Sequence, residues 1–375
     1  MNDIKQLRQY LHRNPELSGQ EHHTAEKIES FIMPLSPTQT VRLGKTGRAF
    51  VFDSGNNGKT TMIRSELDGL PIQEINAIDY KSEKDGIAHL CGHDGHMAIV
   101  SGLAKELHNN PPKSGRVILL FQPAEETGEG AYEVLQDSNF NDLEPDYIFA
   151  LHNIPGENKH TILYKENTFA SASKGMTIRL TGKTSHAAEP EMGISPANAI
   201  ADIIKQFEVI RSVKSNMFSE TVLLTIVHIN LGEIAFGTSP GYAEMRATLR
   251  AFTNRDLDIL THEAENVIAD ITNREGLEHD ISYSEIFPAT TNSRECIEYI
   301  LNASDKNSYS TKKLNSPYKW SEDFGYFTQK YSGGFFGLGS GTTQPALHNP
   351  DYDFPDDIIK TGIDMFKEII NQINY

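Results

Sequence analysis

The stretch Ala88-His89-Leu90-Cys91-Gly92-His93-Asp94-Gly95-His96 holds one of the chain's two cysteines, three of its fourteen histidines and an aspartate. A thiolate and an imidazole two residues apart, Cys91 and His93, can point at one metal ion. Downstream, Met97, Val100, Leu103, Ala104 and Leu107 recur at helical spacing, so the pair sits on a glycine-rich turn opening into a helix. A helix N-terminus favours anions and helps to keep a thiolate ionised. A lone Cys-x-His is more often a buried cysteine beside solvated histidines, so the weight of the motif depends on the rest of the chain.

In open α/β sheets, ligands bind at the carboxyl ends of the strands. Residues 117–121 (Val-Ile-Leu-Leu-Phe), 147–151 (Tyr-Ile-Phe-Ala-Leu) and 334–338 (Gly-Phe-Phe-Gly-Leu) are short apolar runs of the kind that form fully buried parallel strands. Residues 48–53 and 60–65 read as strands around the turn Ser54-Gly55-Asn56-Asn57-Gly58. The strand 60–65 runs into Glu66-Leu67-Asp68, 117–121 into Gln122-Pro123-Ala124-Glu125-Glu126, 147–151 into His152-Asn153, and 334–338 towards His348-Asn349-Pro350. Adjacent glutamates are usually solvated, and His152 alone would more often be a hydrogen-bonded core residue. Together they fall on one predicted edge with Cys91 and His93.

Adjacent carboxylates can divide the work beside a metal, one held as a ligand and the other acting as general base. Two ions roughly 3.5–4 Å apart can share a water and make it a nucleophile near neutral pH. On this reading Cys91, His93, Glu126, His152 and His348 supply the ligands, and Glu125 is the base.

The elements that must position these groups follow from the bulk pattern. At 375 residues, two domains are expected. Residues 1–34 read as helix interrupted at Asn14-Pro15-Glu16-Leu17-Ser18, and a helix closes the chain from about residue 355. Between residues 174 and 286 the texture changes. Strands at 176–181, 221–230, 242–250 and 280–285 alternate with helices at 196–213 and 255–273, the β-α-β-β-α-β order of a ferredoxin-like unit. The expected fold is therefore α/β: a catalytic domain with a mixed, largely parallel sheet (1–173 and 287–375), and an inserted ferredoxin-like α+β domain (174–286). Residues 302–317 are polar and read as a surface loop.

A net charge of −17 argues against nucleic acid and anionic membrane as partners. Two cysteines, Cys91 and Cys296, are too few for a disulfide scaffold and suit a reducing compartment. The first residues lack the apolar core of a signal peptide, and no apolar run approaches membrane-spanning length. A soluble, cytoplasmic protein is expected.

The chain closely resembles the amidohydrolase branch of the di-metal exopeptidases, which includes aminoacylases, hippurate hydrolases, N-acetyl-diaminopimelate deacetylases and auxin-conjugate hydrolases. The likeness runs almost end to end through Leu11-His12-Arg13-Asn14-Pro15-Glu16-Leu17-Ser18, Cys91-Gly92-His93-Asp94-Gly95-His96, Gln122-Pro123-Ala124-Glu125-Glu126, Leu151-His152-Asn153, Ser185-His186-Ala187-Ala188-Glu189-Pro190, Ser321-Glu322-Asp323-Phe324 and Leu347-His348-Asn349-Pro350. It implies two divalent ions, zinc or manganese, held by Cys91, His93, Glu126, His152 and His348. It also implies Glu125 as base, Asp68 in a supporting role behind the ligands, and His186 as a residue of the inserted lid that reaches the substrate. The lid of such proteins often forms a homodimer. Three positions depart from the branch pattern. Glu66 replaces the first Asp of Asp-x-Asp, Gly237-Thr238-Ser239-Pro240 replaces Asn-Val-Ile-Pro, and Thr184-Ser185-His186 replaces Gly-Gly-His.

The implied activity is metal-dependent hydrolysis of N-acyl amino acids or similar small amides by a metal-activated water, with Glu125 as base. A dipeptidase or carboxypeptidase on the same site is the alternative. A thiol hydrolase with Cys91 as nucleophile and His93 or His96 as its base would leave Glu125, Glu126, His152 and His348 unexplained. A non-catalytic metal protein would leave Glu125 unexplained.

Overall fold

The computed structural model describes residues 1–212 and 215–375. They form two compact units, one of residues 1–169, 290–317 and 323–375, the other of residues 170–289 and 318–322.

The first unit is built on an eight-stranded sheet. Its strand order is Gln39–Leu43, Gly47–Asp53, Arg116–Gln122, Thr60–Glu66, Tyr147–Pro155, Ser332–Gly341, Ile162–Tyr164 and Thr311–Lys313. The middle four strands are mutually parallel, and both outer strands beside them run antiparallel. The apolar runs read from the sequence are these middle strands. Val117, Ile118, Leu119, Leu120 and Phe121 are all fully buried, as a strand covered on both faces requires. Helices Asn2–Arg13 and Ile359–Asn374 pack against helix His93–Asn109, which in turn packs on the strand Thr60–Glu66. In the last helix Ile359, Ile363, Phe366, Ile369 and Ile370 are buried at helical spacing.

Three local features differ from the sequence reading. Residues 54–58 do not close a hairpin, because Arg116–Gln122 lies between the two strands they join. The strand Gln39–Leu43 was not visible in the sequence. It is a polar edge strand with only Leu43 buried, so it carries no apolar run. Residues 302–317 are not one loop: helix Arg294–Lys306 extends into them, and the exposed strand Thr311–Lys313 forms the far edge of the sheet.

The second unit has its own core, including Met176, Ile178, Leu180, Ile203, Phe207, Met245, Leu249, Leu260 and Ile268. Its antiparallel sheet has the order Val222–Leu231, Tyr242–Ala251, Ala172–Thr181 and Glu278–Phe287. Helices Ala197–Ser212 and Asn254–Glu275 pack on it, the ferredoxin-like arrangement. Val213, the last residue of the expected helix, lies outside the described residues. Among the described residues no helix is long and apolar enough to cross a membrane.

Candidate metal centre

The carboxyl ends of the middle strands and the start of helix His93–Asn109 bring Cys91, His93, Glu125, Glu126, His152 and His348 together within the first unit. Gly92 makes the turn into that helix at φ 95°, and a Cβ there would lie 2.4 Å from Asn153 Oδ1. Only glycine fits both the backbone and the space. Two other turns are strained without glycine. Ala124, before Glu125, has φ 50°, and His348 has φ 66°. Such conformations persist where the surroundings over-determine them. Ala124 N donates to Glu21 Oε1 at 2.8 Å, and His348 N to Leu90 O at 2.9 Å.

Among the described residues five groups of potential ligand atoms occur, and two of them share Cys91. Cys91, His93 and His152 each offer an atom within 4.8 Å of the others, and so do Cys91, Glu126 and His348. Cys91 Sγ lies 3.4 Å from His152 Nε2. Glu126 faces both groups, with Oε1 3.8 Å from His93 Nε2 and Oε2 3.7 Å from His348 Nε2.

Ring orientation separates the histidines. His93 Nδ1 sits 2.9 Å from the main-chain oxygen of Asp68 and 3.4 Å from its carboxylate. His152 Nδ1 sits 2.9 Å from Asn153 O. Each Nδ1–H donates outward, which leaves Nε2 turned inward, as metal-binding histidines are usually held. His96 differs. Its Nδ1 is 2.7 Å from Glu66 Oε2 and its Nε2 is 2.5 Å from Asn153 Oδ1, so both nitrogens are engaged. It packs edge-on against His152, with ring centroids 4.8 Å apart. That pairing also removes His96 as a base for Cys91.

Asp68 is fully buried and joins two parts of the cluster. Besides its contacts to His93, its Oδ2 accepts from Glu126 N at 3.0 Å and Ser18 Oγ at 2.7 Å. Glu66, the residue that departs from the branch pattern, bonds Arg64 as well as His96. Of the supporting partners, Arg64, Asn153 and Asp323 were not assigned a role from the sequence, and His96 was weighed only as the base of the thiol-hydrolase alternative. For His96, Asn153 and Asp323 the quoted motifs were the only signal; Arg64 lies in none of them, and apart from the nearby Glu66 its partners Gln122 and Asp323 are 58 and 259 residues away.

The electrostatics follow from burial against a dense set of acids. Burial pushes the Glu126 carboxyl up to about 7, aided by the Asp68 and Glu66 charges and opposed by His93 and Cys91. Burial opposes charge on His93, but the Asp68 hydrogen bond and the Glu66, Glu126 and Asp68 charges raise it to about 10. Burial and the neighbouring His96 hold His152 well below the ordinary histidine range, and burial also lowers His348. Buried His93 Nε2 and Glu126 Oε1 have no hydrogen-bond partner among the described residues. Buried polar atoms are rarely left so. Two such atoms converging with a thiol and a second imidazole fit a divalent metal.

His186 lies in the second unit. The pair Ser185–His186 is bridged to Thr238–Ser239, with His186 opposite Thr238. The side chain is exposed, and its Nδ1 accepts from Ala188 N at 3.1 Å, so Nε2 carries the proton of the neutral ring.

Residues 62–372 match the model of peptidase family M20/M25/M40. The chain belongs to this family. As a member of it, the protein is a metal-dependent amidohydrolase. It is 27% identical over 370 residues to a hippurate hydrolase of Campylobacter jejuni, covering 98% of this chain and 95% of that one. It is 26% identical over 374 residues to an uncharacterized hydrolase of Staphylococcus saprophyticus, covering 98% and 96%. The YXEP protein of Bacillus subtilis, a dinuclear metal binding peptidase of the M20 family, superposes with a TM-score of 0.84 at 25% identity, covering 98% and 96%. A structure from methicillin resistant Staphylococcus aureus superposes at 0.91 with 23% identity, covering 100% and 97%, and shares the fold.

Proposed function

We propose that this M20-family protein hydrolyses N-acyl amino acids or similar small amides at a two-metal centre held by Cys91, His93, Glu126, His152 and His348. The observation that carries the proposal is the pair of ligand groups meeting at Cys91, with His93 and His152 both turned Nε2-inward. Zinc suits the thiolate and imidazoles, while the carboxylate also accommodates manganese. The binuclear metal site of the similar Bacillus protein supports two ions, and the hippurate hydrolase relative supports an N-acyl amino acid as substrate.

Divalent ions bound here would supply Lewis acidity to the amide carbonyl and activate a water. The chain's own residues do the rest. Glu125 is 4% exposed, with Oε2 on the His93 side at 3.9 Å from Nε2. It accepts the proton of the attacking water and returns it to the leaving amine nitrogen, giving a carboxylate and a free amine. Asp68 holds the His93 ring and the main chain of Glu126, so it acts by positioning. His186, with Nε2–H outward, is suited to donate to the developing oxyanion. The second unit then serves as lid and dimerisation domain. Its edge strand Val222–Leu231 exposes Val227, Ile229 and Leu231, and the following turn exposes Ile234 and Phe236 completely, which supports pairing with a second copy.

A dipeptidase or carboxypeptidase reading is favoured by one observation, that the Bacillus neighbour is a peptidase. An amine-release screen over N-acyl amino acids and dipeptides, run on metal-stripped protein reloaded with zinc or manganese, separates the two. Full activity after stripping would sink both.

A further inference from the structure

Behind the turn that carries Glu125 and Glu126 lies a buried carboxylate that the proposed reaction does not use. Glu21 stands at the start of helix His22–Ile32 and is fully buried. Its Oε1 accepts from Ala124 N and from Gly19 N, each at 2.8 Å, and its Oε2 accepts from Thr46 Oγ1 at 2.7 Å. Thr46 is itself buried. Burial and the Asp68 charge push the Glu21 pKa up, and the bonds from Thr46 and Ala124 oppose that shift. An acid out of water is costly unless its oxygens are hydrogen-bonded, and here both are.

The turn it grips needs holding. Ala124 has φ 50°, a left-handed conformation that a residue with a Cβ keeps only under constraint. The constraint comes from two sides. Ala124 O accepts from Gly130 N at 3.0 Å, at the start of helix Gly130–Gln136. Ala124 N is taken by Glu21, 103 residues earlier in the chain. Two residues on, Glu126 N is taken by Asp68 Oδ2 at 3.0 Å. Two buried carboxylates thus hold the main chain at positions 124 and 126, and the direction in which Glu126 leaves the turn depends on both.

We propose that Glu21 is a positioning residue for the metal centre: by accepting the Ala124 main-chain N–H it keeps Ala124 left-handed, and so sets the turn that presents Glu126 to the metal. The inference rests on the reading of Glu126 as a ligand. A purely structural role, in which Glu21 only ties helix His22–Ile32 to the sheet, uses the same contacts without this consequence, so the test must separate the two.

Glu21→Met removes the acceptor while keeping a side chain of similar length. The metal-free full chain, with its fold checked by circular dichroism, is titrated with zinc. Affinity should fall about 10- to 100-fold, the usual worth of a group that orients a metal ligand. Glu21→Gln should stay within about threefold of the parent, because its amide oxygen can take both main-chain N–H groups while its NH₂ reaches Thr46 Oγ1. The deciding measurement repeats Glu21→Met on an Ala124→Gly background. Glycine holds a positive φ without strain, so there the loss should shrink to less than about threefold. An equal loss on both backgrounds, an unchanged zinc affinity for Glu21→Met, or a Glu21→Gln as weak as Glu21→Met would each overturn the proposal. If Glu21→Met does not fold, Glu21→Ala leaves room for water beside the three donors, and the same cycle applies with a loss of about threefold to tenfold that shrinks below about twofold with glycine. Unchanged zinc affinity for Glu126→Gln would instead refute the ligand reading itself, which distinguishes the two failures.

Discussion

Metal uptake should be coupled to the loss of a proton from His93. The ring is fully buried, and burial alone would expel the proton. The Asp68 hydrogen bond and the charges of Glu66, Glu126 and Asp68 win, so the pKa of the metal-free protein stands at about 10. A nitrogen that ligates a metal must give up its proton. At pH 8 the proton on His93 therefore competes with the metal, a penalty on the order of 100-fold in affinity. The sign is definite: affinity falls as pH falls. It should rise about tenfold per unit from His93 alone between pH 7 and pH 9, and more where Cys91 must also become a thiolate. Metal-free protein titrated with zinc at pH 8, in weak buffer with a pH indicator, should release at least about one proton per chain. Release of less than about half a proton, with an affinity flat from pH 7 to pH 9, would refute the placement of His93 Nε2 on the metal.

Glu125→Gln should keep its metal while kcat falls by roughly 10²–10⁴, whereas Glu126→Gln should lose metal affinity; the opposite pattern in metal analysis would reverse the two roles. His186→Ala should retain fold and metal content and lose roughly 10²–10³ in kcat, the worth of one oxyanion donor. Mixing inactive His186→Ala with inactive Glu125→Gln chains should restore activity if His186 acts across a dimer, and no recovery despite proven subunit exchange would place it in its own chain's site. Replacing Cys296, which is buried with its thiol pushed up to about 12 by burial, should leave metal content unchanged. His12 is buried between Asp94 and Glu74, at 2.9 Å and 3.1 Å. Burial opposes its charge, but the two carboxylates raise its pKa to about 9. Its folded pKa is raised, so its stabilisation, roughly 3 kcal/mol at most, is complete below about pH 6.5 and is lost as pH rises through about 9. Urea unfolding of the protein and of His12→Gln at pH 6 and pH 9.5 should show this component in the first and not in the second.

The amino-acid sequence by itself determined the family-level chemistry, metal-dependent hydrolysis, and the strands whose ends lie at the candidate site. Continuous apolar runs such as residues 117–121 fit strands covered on both faces, and reactive groups that follow parallel strands gather at their carboxyl ends. The six-element order of the second unit was likewise visible, since helical and strand periods differ and each is local. Strand order was not local. Arg116–Gln122 inserts between two strands that are neighbours in sequence, and the polar edge strands Gln39–Leu43 and Thr311–Lys313 bury too little to leave a pattern. The difference between His93 and His96 was also left to the tertiary structure. They lie three residues apart in one motif. One keeps Nε2 inward because the main chain of Asp68 takes its Nδ1, while the other has both nitrogens engaged by Glu66 and Asn153. A histidine becomes available to a metal through what its second nitrogen touches. Those partners come from strands and strand ends 25 to 57 residues away, so only the packed sheet could decide it.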